Sequence, residues 1–299
     1  MTVPIVPPIV IAHVSDLHLG AHDPVAVDTL PADVAAARPT LTVVTGDITM
    51  RARADEFCLA VALLARLPEP QLVVPGNHDV PLGPVPRLTE PYRRYSAALG
   101  VDPNPSVLWP SARSAGTEAL GLNSMPRWRW KSGRVTRRQA AAITASFGAA
   151  PGAAAGSDAV PPDAVPPDAV PPDAVPPDAV PPDAVRLVAL HHPPFVGGLA
   201  RLGGRGRLTA ALAGARVDLV LAGHTHVPVA REVELVHGGR THRVIEVVAG
   251  TATSLRTRDG AGRSWSLIVI DGCAVEVRER RQTGSGWRTT RTVRFDRRS

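Results

Sequence analysis

Cysteine is nearly absent: Cys58 and Cys273 are the only two in 299 residues. So few exclude a disulfide-stapled scaffold and a cysteine-ligated structural zinc, and they predict a reduced pair of small buried side chains. No apolar run approaches the ~20 residues that a membrane-spanning helix needs. The first five residues, Met-Thr-Val-Pro-Ile, lack a basic region, and the apolar stretch after them leads directly into residues 15–20, which carry chemistry. Cleavage there would remove Asp16, so the reading is a cytoplasmic protein with no leader peptide. Lysine is absent but for Lys131, so arginine carries the formal charge of +6. That charge is concentrated: residues 278–299 hold eight arginines against Glu279 and Asp296, and the body before them is formally neutral. Such a tail fits either a solvated edge hairpin, which this reading prefers, or a contact with nucleic acid or an anionic membrane surface.

What is present is a globular chain, 44% hydrophobic and 20% charged, long enough to bury a large core. Residues 9–80 read as repeated strand-then-helix units: strands at 9–14, 41–44 and from 72, with helices at 24–37 and 54–67. A short helix is predicted at 92–99, a strand at 118–123 and a helix at 137–147. Later come a strand at 186–190, a helix at 208–215 and a strand at 217–221. Two hairpins follow, at 232–248 around His237-Gly238-Gly239-Arg240 and at 264–279 around Asp271-Gly272, and both are expected to complete a second sheet.

Two stretches break this pattern. Asp158-Ala159-Val160 is followed by five copies of Pro-Pro-Asp-Ala-Val, from Pro161 to Val185. Paired prolines fix φ and remove amide donors, and each copy offers too little apolar surface to offset its ordering entropy. The expectation is a disordered or polyproline-like insertion over 158–185, within a domain spanning 1–280. Residues 281–299 would form a basic β-extension or tail. The other stretch, Arg127-Trp128-Arg129-Trp130-Lys131, alternates cations with aromatics. It reads as an exposed loop with locally packed tryptophans, or as a substrate-facing rim that stacks a base and grips phosphate.

The chemistry lies where apolar strands stop. Residues 9–14 run into Ser15-Asp16-Leu17-His18, residues 41–44 into Thr45-Gly46-Asp47, and residues 72–75 into Gly76-Asn77-His78-Asp79. Residues 186–190 run into His191-His192-Pro193-Pro194, and residues 217–221 into Ala222-Gly223-His224-Thr225-His226. In open α/β sheets, side chains at strand ends project into a shared crevice. Aspartate, histidine and one asparagine form a hard-to-borderline donor set suited to Mn, Fe, Zn or Co. Seven candidates (Asp16, His18, Asp47, Asn77, His191, His224 and His226) exceed what one tetrahedral ion needs. Two ions sharing the Asp47 carboxylate would use them all. The isolated histidines His13, His22, His237 and His242 receive no metal role.

These five ordered motifs resemble the calcineurin-like metallophosphoesterase family, and within it bacterial single-domain enzymes of the cyclic-nucleotide-phosphodiesterase type. The resemblance covers roughly residues 9–275. It implies a four-layer α/β/β/α sandwich of two mixed sheets flanked by helices. It also implies two divalent or trivalent metal ions, one held by Asp16, His18, Asp47 and His226, the other by Asp47, Asn77, His191 and His224. The His-x-Pro pattern selects His191, leaving His192 behind the ligands or against substrate. The implied activity is hydrolysis of a phosphodiester or phosphomonoester by hydroxide bridging the ions, with cyclic nucleotides one substrate class. His78, next to Asn77 and uncoordinated in the family pattern, is the expected leaving-group acid. Asp79 either orients His78 or caps the turn that follows. Two alternatives are a nuclease, suggested by the basic tail, and a non-catalytic metal-stabilised scaffold, against which His78 argues.

Overall fold

The computed structural model describes residues 7–101, 103, 107–108, 116–148, 184–196 and 202–297. In chain order the elements begin β1 (Ile9–Val14), α1 (Pro24–Ala36), β2 (Leu41–Val44), α2 (Ala54–Leu64) and β3 (Gln71–Val73). Next come α3 (Pro84–Thr89), α4 (Arg93–Leu99), β4 (Val107–Leu108), β5 (Thr117–Leu122) and α5 (Arg137–Phe147). The remainder is β6 (Val185–Leu190), α6 (Arg205–Gly214), β7 (Leu219–Ala222), β8 (Val229–His237), β9 (Arg240–Val248), β10 (Ser264–Asp271), β11 (Ala274–Thr283) and β12 (Gly286–Asp296).

The strands make two six-stranded sheets, ordered β12-β11-β10-β1-β2-β3 and β4-β5-β6-β7-β9-β8. β1, β2 and β3 run parallel, as do β5, β6, β7 and β9, while β4, β8, β10, β11 and β12 pair antiparallel with their neighbours. Both sheets are therefore mixed. Their central strands read as continuous apolar runs because both faces are covered. Ile11 of β1 faces the other sheet, in one cluster with Val43, Leu187 and Leu221, whereas Ala12 and Val14 pack against Leu30 of α1 and Phe57 of α2. Val188 and Leu190 of β6 likewise turn outward onto Ile143 of α5 and Leu212 of α6. The result is the four-layer α/β/β/α sandwich, with the carboxyl ends of β1, β2, β3, β6 and β7 bearing the loops of interest.

Local signals explain the helix boundaries. Asp23 caps α1 by accepting from the Ala26 N–H at 2.9 Å, and Pro24 begins the helix, where a missing amide hydrogen costs nothing. Thr136, the N-cap, and Gln139 form a reciprocal capping box that fixes the start of α5 at Arg137.

Three expectations need correction. The hairpin at 264–279 does not join the second sheet: β10 pairs antiparallel with β1, Ile11 opposite Ile268, and so extends the first. That hairpin continues into β12, so a boundary at residue 280 would cut through β11. Cys58 and Cys273 are free as expected, but exposed rather than buried; one lies on the solvent side of α2 and the other in the turn before β11. The repeat prediction falls outside the described residues except for Ala184 and Val185, which are buried, with Val185 already the first residue of β6. Among the described residues no helix is long and apolar enough to cross a membrane.

Candidate metal centre

The five loops meet between the sheets. Asp16 N–H donates to Gly46 O at 3.0 Å and His18 N–H to Asp47 O at 2.9 Å, zipping the β1 loop to the β2 loop. The β3 loop joins them through the Asp79 carboxylate. It accepts from the N–H groups of Ile48, Thr49 and Gly76 and from the Thr49 hydroxyl at 2.8 to 3.2 Å. Asp79 thus acts on backbone, and the orientation of His78 comes instead from the Met50 carbonyl, 2.6 Å from His78 Nδ1. Glycine is required where loops touch. A Cβ on Gly76 would stand 2.2 Å from Asp47 Oδ1, and one on Gly223 would stand 1.9 Å from Ser15 Oγ.

Five of the seven expected ligands hold their backbones in the left-handed region: Asp16 (φ 52°), His18 (48°), Asp47 (51°), His224 (71°) and His226 (61°). Only nine non-glycine residues do so among those described. Each such residue costs on the order of 1–2 kcal/mol, a strain that clusters where side-chain direction matters more than local stability.

The seven side chains converge in two overlapping sets. Asp16 Oδ1 lies 3.1 Å from His226 Nε2 and 3.6 Å from His18 Nε2, which is itself 3.8 Å from Asp47 Oδ2. The Nε2 atoms of His18 and His226 are 3.1 Å apart. On the other side, His191 Nε2 lies 3.3 Å from Asp47 Oδ2, 3.2 Å from Asn77 Oδ1 and 3.1 Å from His224 Nδ1. Asp47 Oδ2 is common to both sets. A ring nitrogen of His78 also falls within 4.8 Å of donor atoms of His18 and Asp47.

These donor atoms face one another with little to bind. His191 Nδ1 is 2.7 Å from Thr45 O and His226 Nδ1 is 2.6 Å from Arg256 O. A carbonyl accepts only from N–H, so in each neutral ring Nε2 is left with a bare lone pair aimed into the centre. Asp16 Oδ1 is buried without a hydrogen bond. Converging lone pairs and carboxylate oxygens, all buried, suit cations, and the set fits a pair of metal ions.

Charges within the cluster follow the same logic. Burial alone would raise Asp16, but His226 and His18 hold it well below the usual carboxylate range, and His191 depresses Asp47 in the same way. Burial opposes protonation of His191, yet Asp47 outweighs it and pushes the ring up to about 9, so in the charged ring Nε2 holds a proton whose place a bound cation would take. His224, lacking so close a carboxylate, is lowered to about 4 by burial and by His191. Both carboxylates therefore stay ionised, and the histidines crowd around them as substitutes for cations.

His192 points away from the donor cluster. Its Nδ1 meets Ser124 Oγ at 2.8 Å and its Nε2 meets Lys131 O at 2.9 Å, with burial holding it well below the usual histidine range. His13, on the strand beneath, is likewise buried, lowered to about 3 by burial and bonded to Thr45 Oγ1.

A sixth loop went unread in the sequence. Thr251 Oγ–H donates to Asp16 O at 2.7 Å and Thr253 Oγ–H to Leu17 O at 2.6 Å, bracing the backbone of the first motif. Ser15 Oγ–H bonds Asp16 Oδ2 at 2.7 Å. The available signal was the same strand-end design, since β9 ends at Val248 and runs into Ala249-Gly250-Thr251-Ala252-Thr253.

Comparison with known proteins agrees with this geometry. The calcineurin-like phosphoesterase family model matches residues 9–228. Among solved structures, PhoD superposes with a TM-score of 0.65 at 10% identity, covering 98% of this chain and 70% of that one. A purple acid phosphatase from yellow lupin seeds gives 0.62 at 11% identity over 97% of this chain, which spans 54% of the lupin protein. At such identities these two likenesses speak for the fold. No curated protein matches by sequence. The family match covers most of the chain and every loop of the cluster except the last, and the chain belongs to the calcineurin-like phosphoesterases, metal-dependent hydrolases of phosphoesters.

Proposed function

We propose that the chain hydrolyses a small phosphodiester or phosphomonoester at a dinuclear metal centre. One ion would be held by Asp16, His18, Asp47 and His226, the other by Asp47, Asn77, His191 and His224. The observation that carries this reading is the convergence of two donor sets, from both sheets, on the single oxygen Asp47 Oδ2. When bound, such a pair supplies Lewis acidity to phosphoryl oxygens and lowers the pKa of a shared water.

The chain's own contribution is placement and one proton. The Asp79 clamp and the strained backbones fix the donors before substrate arrives, so little reorganisation is needed at reaction. With Nδ1–H donated to Met50 O, His78 keeps Nε2 for the proton that the leaving oxygen takes up. The Thr45 and Arg256 carbonyls hold His191 and His226 in the tautomer that leaves Nε2 open.

The test combines metal analysis of the purified protein with hydrolysis of bis-p-nitrophenyl phosphate, p-nitrophenyl phosphate and cyclic nucleotides, each with added Mn, Fe, Zn or Co. Two metal equivalents and turnover of at least one ester, both lost on chelation, are expected. A metal-loaded protein inert on every ester would instead favour the scaffold reading.

A further inference from the structure

Four tryptophans lie in the described residues, and they divide sharply. Trp265 and Trp287 are packed, and each indole N–H donates at 2.9 Å, to Asp33 Oδ2 and Thr29 Oγ1 respectively. Trp128 and Trp130 lie two residues apart in one loop, 56% and 50% exposed, and no indole hydrogen bond is made by either among the described residues. Large exposed aromatics side by side are unfavourable in water and mark contact sites more often than chance.

That loop is fastened at several points. Arg129 donates to Ser132 Oγ at 3.2 Å, and the buried Arg87 donates to the Arg129 carbonyl and to Pro81 O, the latter at 3.0 Å. The Arg87 guanidinium lies 4.6 Å over the Trp130 ring, covering one face of it. Lys131 O accepts from His192, whose ring centroid is 4.6 Å from that of His224. Gly133 packs so closely on His192 that a Cβ there would stand 2.5 Å from the ring. Trp130 is therefore bracketed between the turn that follows His78 and the histidine that backs His224.

We infer that Trp130, with Trp128 beside it, is a stacking platform that selects phosphoesters carrying a nucleobase. The inference rests on the phosphoesterase reading for its phosphate end. Arg87 holds one face of Trp130 and stiffens the ring, which leaves the other for a base and spares the ordering cost of a mobile side chain. Base–aromatic stacking is worth on the order of 1–3 kcal/mol, enough to shift affinity about tenfold.

The test uses full-length, metal-loaded protein and two diesters that release the same p-nitrophenolate, p-nitrophenyl thymidine 5′-phosphate and p-nitrophenyl ethyl phosphate. Trp130→Ala should raise KM for the thymidine ester about tenfold more than KM for the ethyl ester. Trp128→Ala should do so less, and Trp130→Phe should retain most of the preference. Tryptophan fluorescence gives a readout independent of turnover: thymidine 5′-monophosphate should quench wild-type emission saturably, ribose 5-phosphate should not, and the Trp128→Ala, Trp130→Ala double variant should lose the response. An equal change on both diesters, or quenching unaltered in the double variant, would overturn the inference. Should the wild type cleave neither diester, the diesterase part of the proposed function fails alone, and the quenching result still decides for or against the platform.

Discussion

The strand-end loops and the C-terminal hairpin are both crowded with ionisable side chains, and they treat them in opposite ways. In the loops, Asp16, His18, Asp47, His191 and His226 are buried, and five of the seven expected ligands have left-handed backbones. Among the described residues, only the histidines around them form ion pairs with Asp16 and Asp47. Along β11, β12 and the residue that follows them, arginines sit in pairs, Arg278 and Arg294 with Glu276, Arg280 with Asp33, Arg281 with Glu279 and Arg297 with Asp218, and all of these but Arg297 keep part of the side chain in water. Five of the eight arginines that gave the tail its basic look are thus answered by carboxylates. Two of those, Asp33 and Asp218, lie far away in sequence. The difference teaches that burial and strain, rather than density of charge, separate a site from a surface. Solvated pairs contribute about 0–1 kcal/mol each, whereas an unpaired buried charge costs several.

Mutations should break this comparison unevenly. Asp47→Ala removes the oxygen shared by both donor sets and should abolish turnover, by about a thousandfold or more, with loss of metal by elemental analysis. His78→Ala should lower kcat by about 10² to 10³ while metal content stays at the wild-type level. Equal metal loss in the two variants would make His78 a ligand, a role its distance from His18 and Asp47 permits. Asp79→Ala leaves three backbone N–H groups and a hydroxyl without their acceptor and should destabilise the fold by about 3 kcal/mol in urea unfolding. The double substitution Arg288→Gln, Arg294→Gln on the exposed edge should move stability by less than about 1 kcal/mol and leave hydrolysis of small esters unchanged. A large fall in activity there would reopen the basic tail as part of the substrate site.

The site was legible because each motif follows an apolar strand, and strand ends in a parallel sheet share one crevice. The caps Asp23 and Thr136 are local signals that would have sharpened α1 and α5, which were read without them. Long-range pairing was not legible: β10 lies beside β1 although some 250 residues separate Ile11 from Ile268, and no local pattern encodes that choice. β12 was anticipated only as a solvated edge hairpin, β-extension or tail, without bounds, because arginine and threonine dominate it. Its alternating Trp287, Val293 and Phe295 are only partly buried, so the period-two signal is faint. Asp79 was left between orienting His78 and capping the turn that follows, because its partners, the N–H groups of Ile48, Thr49 and Gly76 and the Thr49 hydroxyl, come mostly from the β2 loop some 30 residues away.

Anomalous X-ray scattering from manganese-soaked crystals tests the joint centre most directly. Two peaks flanking the Asp47 carboxylate, one beside Asp16, His18 and His226 and the other beside Asn77, His191 and His224, are the predicted result. Absence of any peak between these loops, or a peak held by only one sheet's residues, would contradict it.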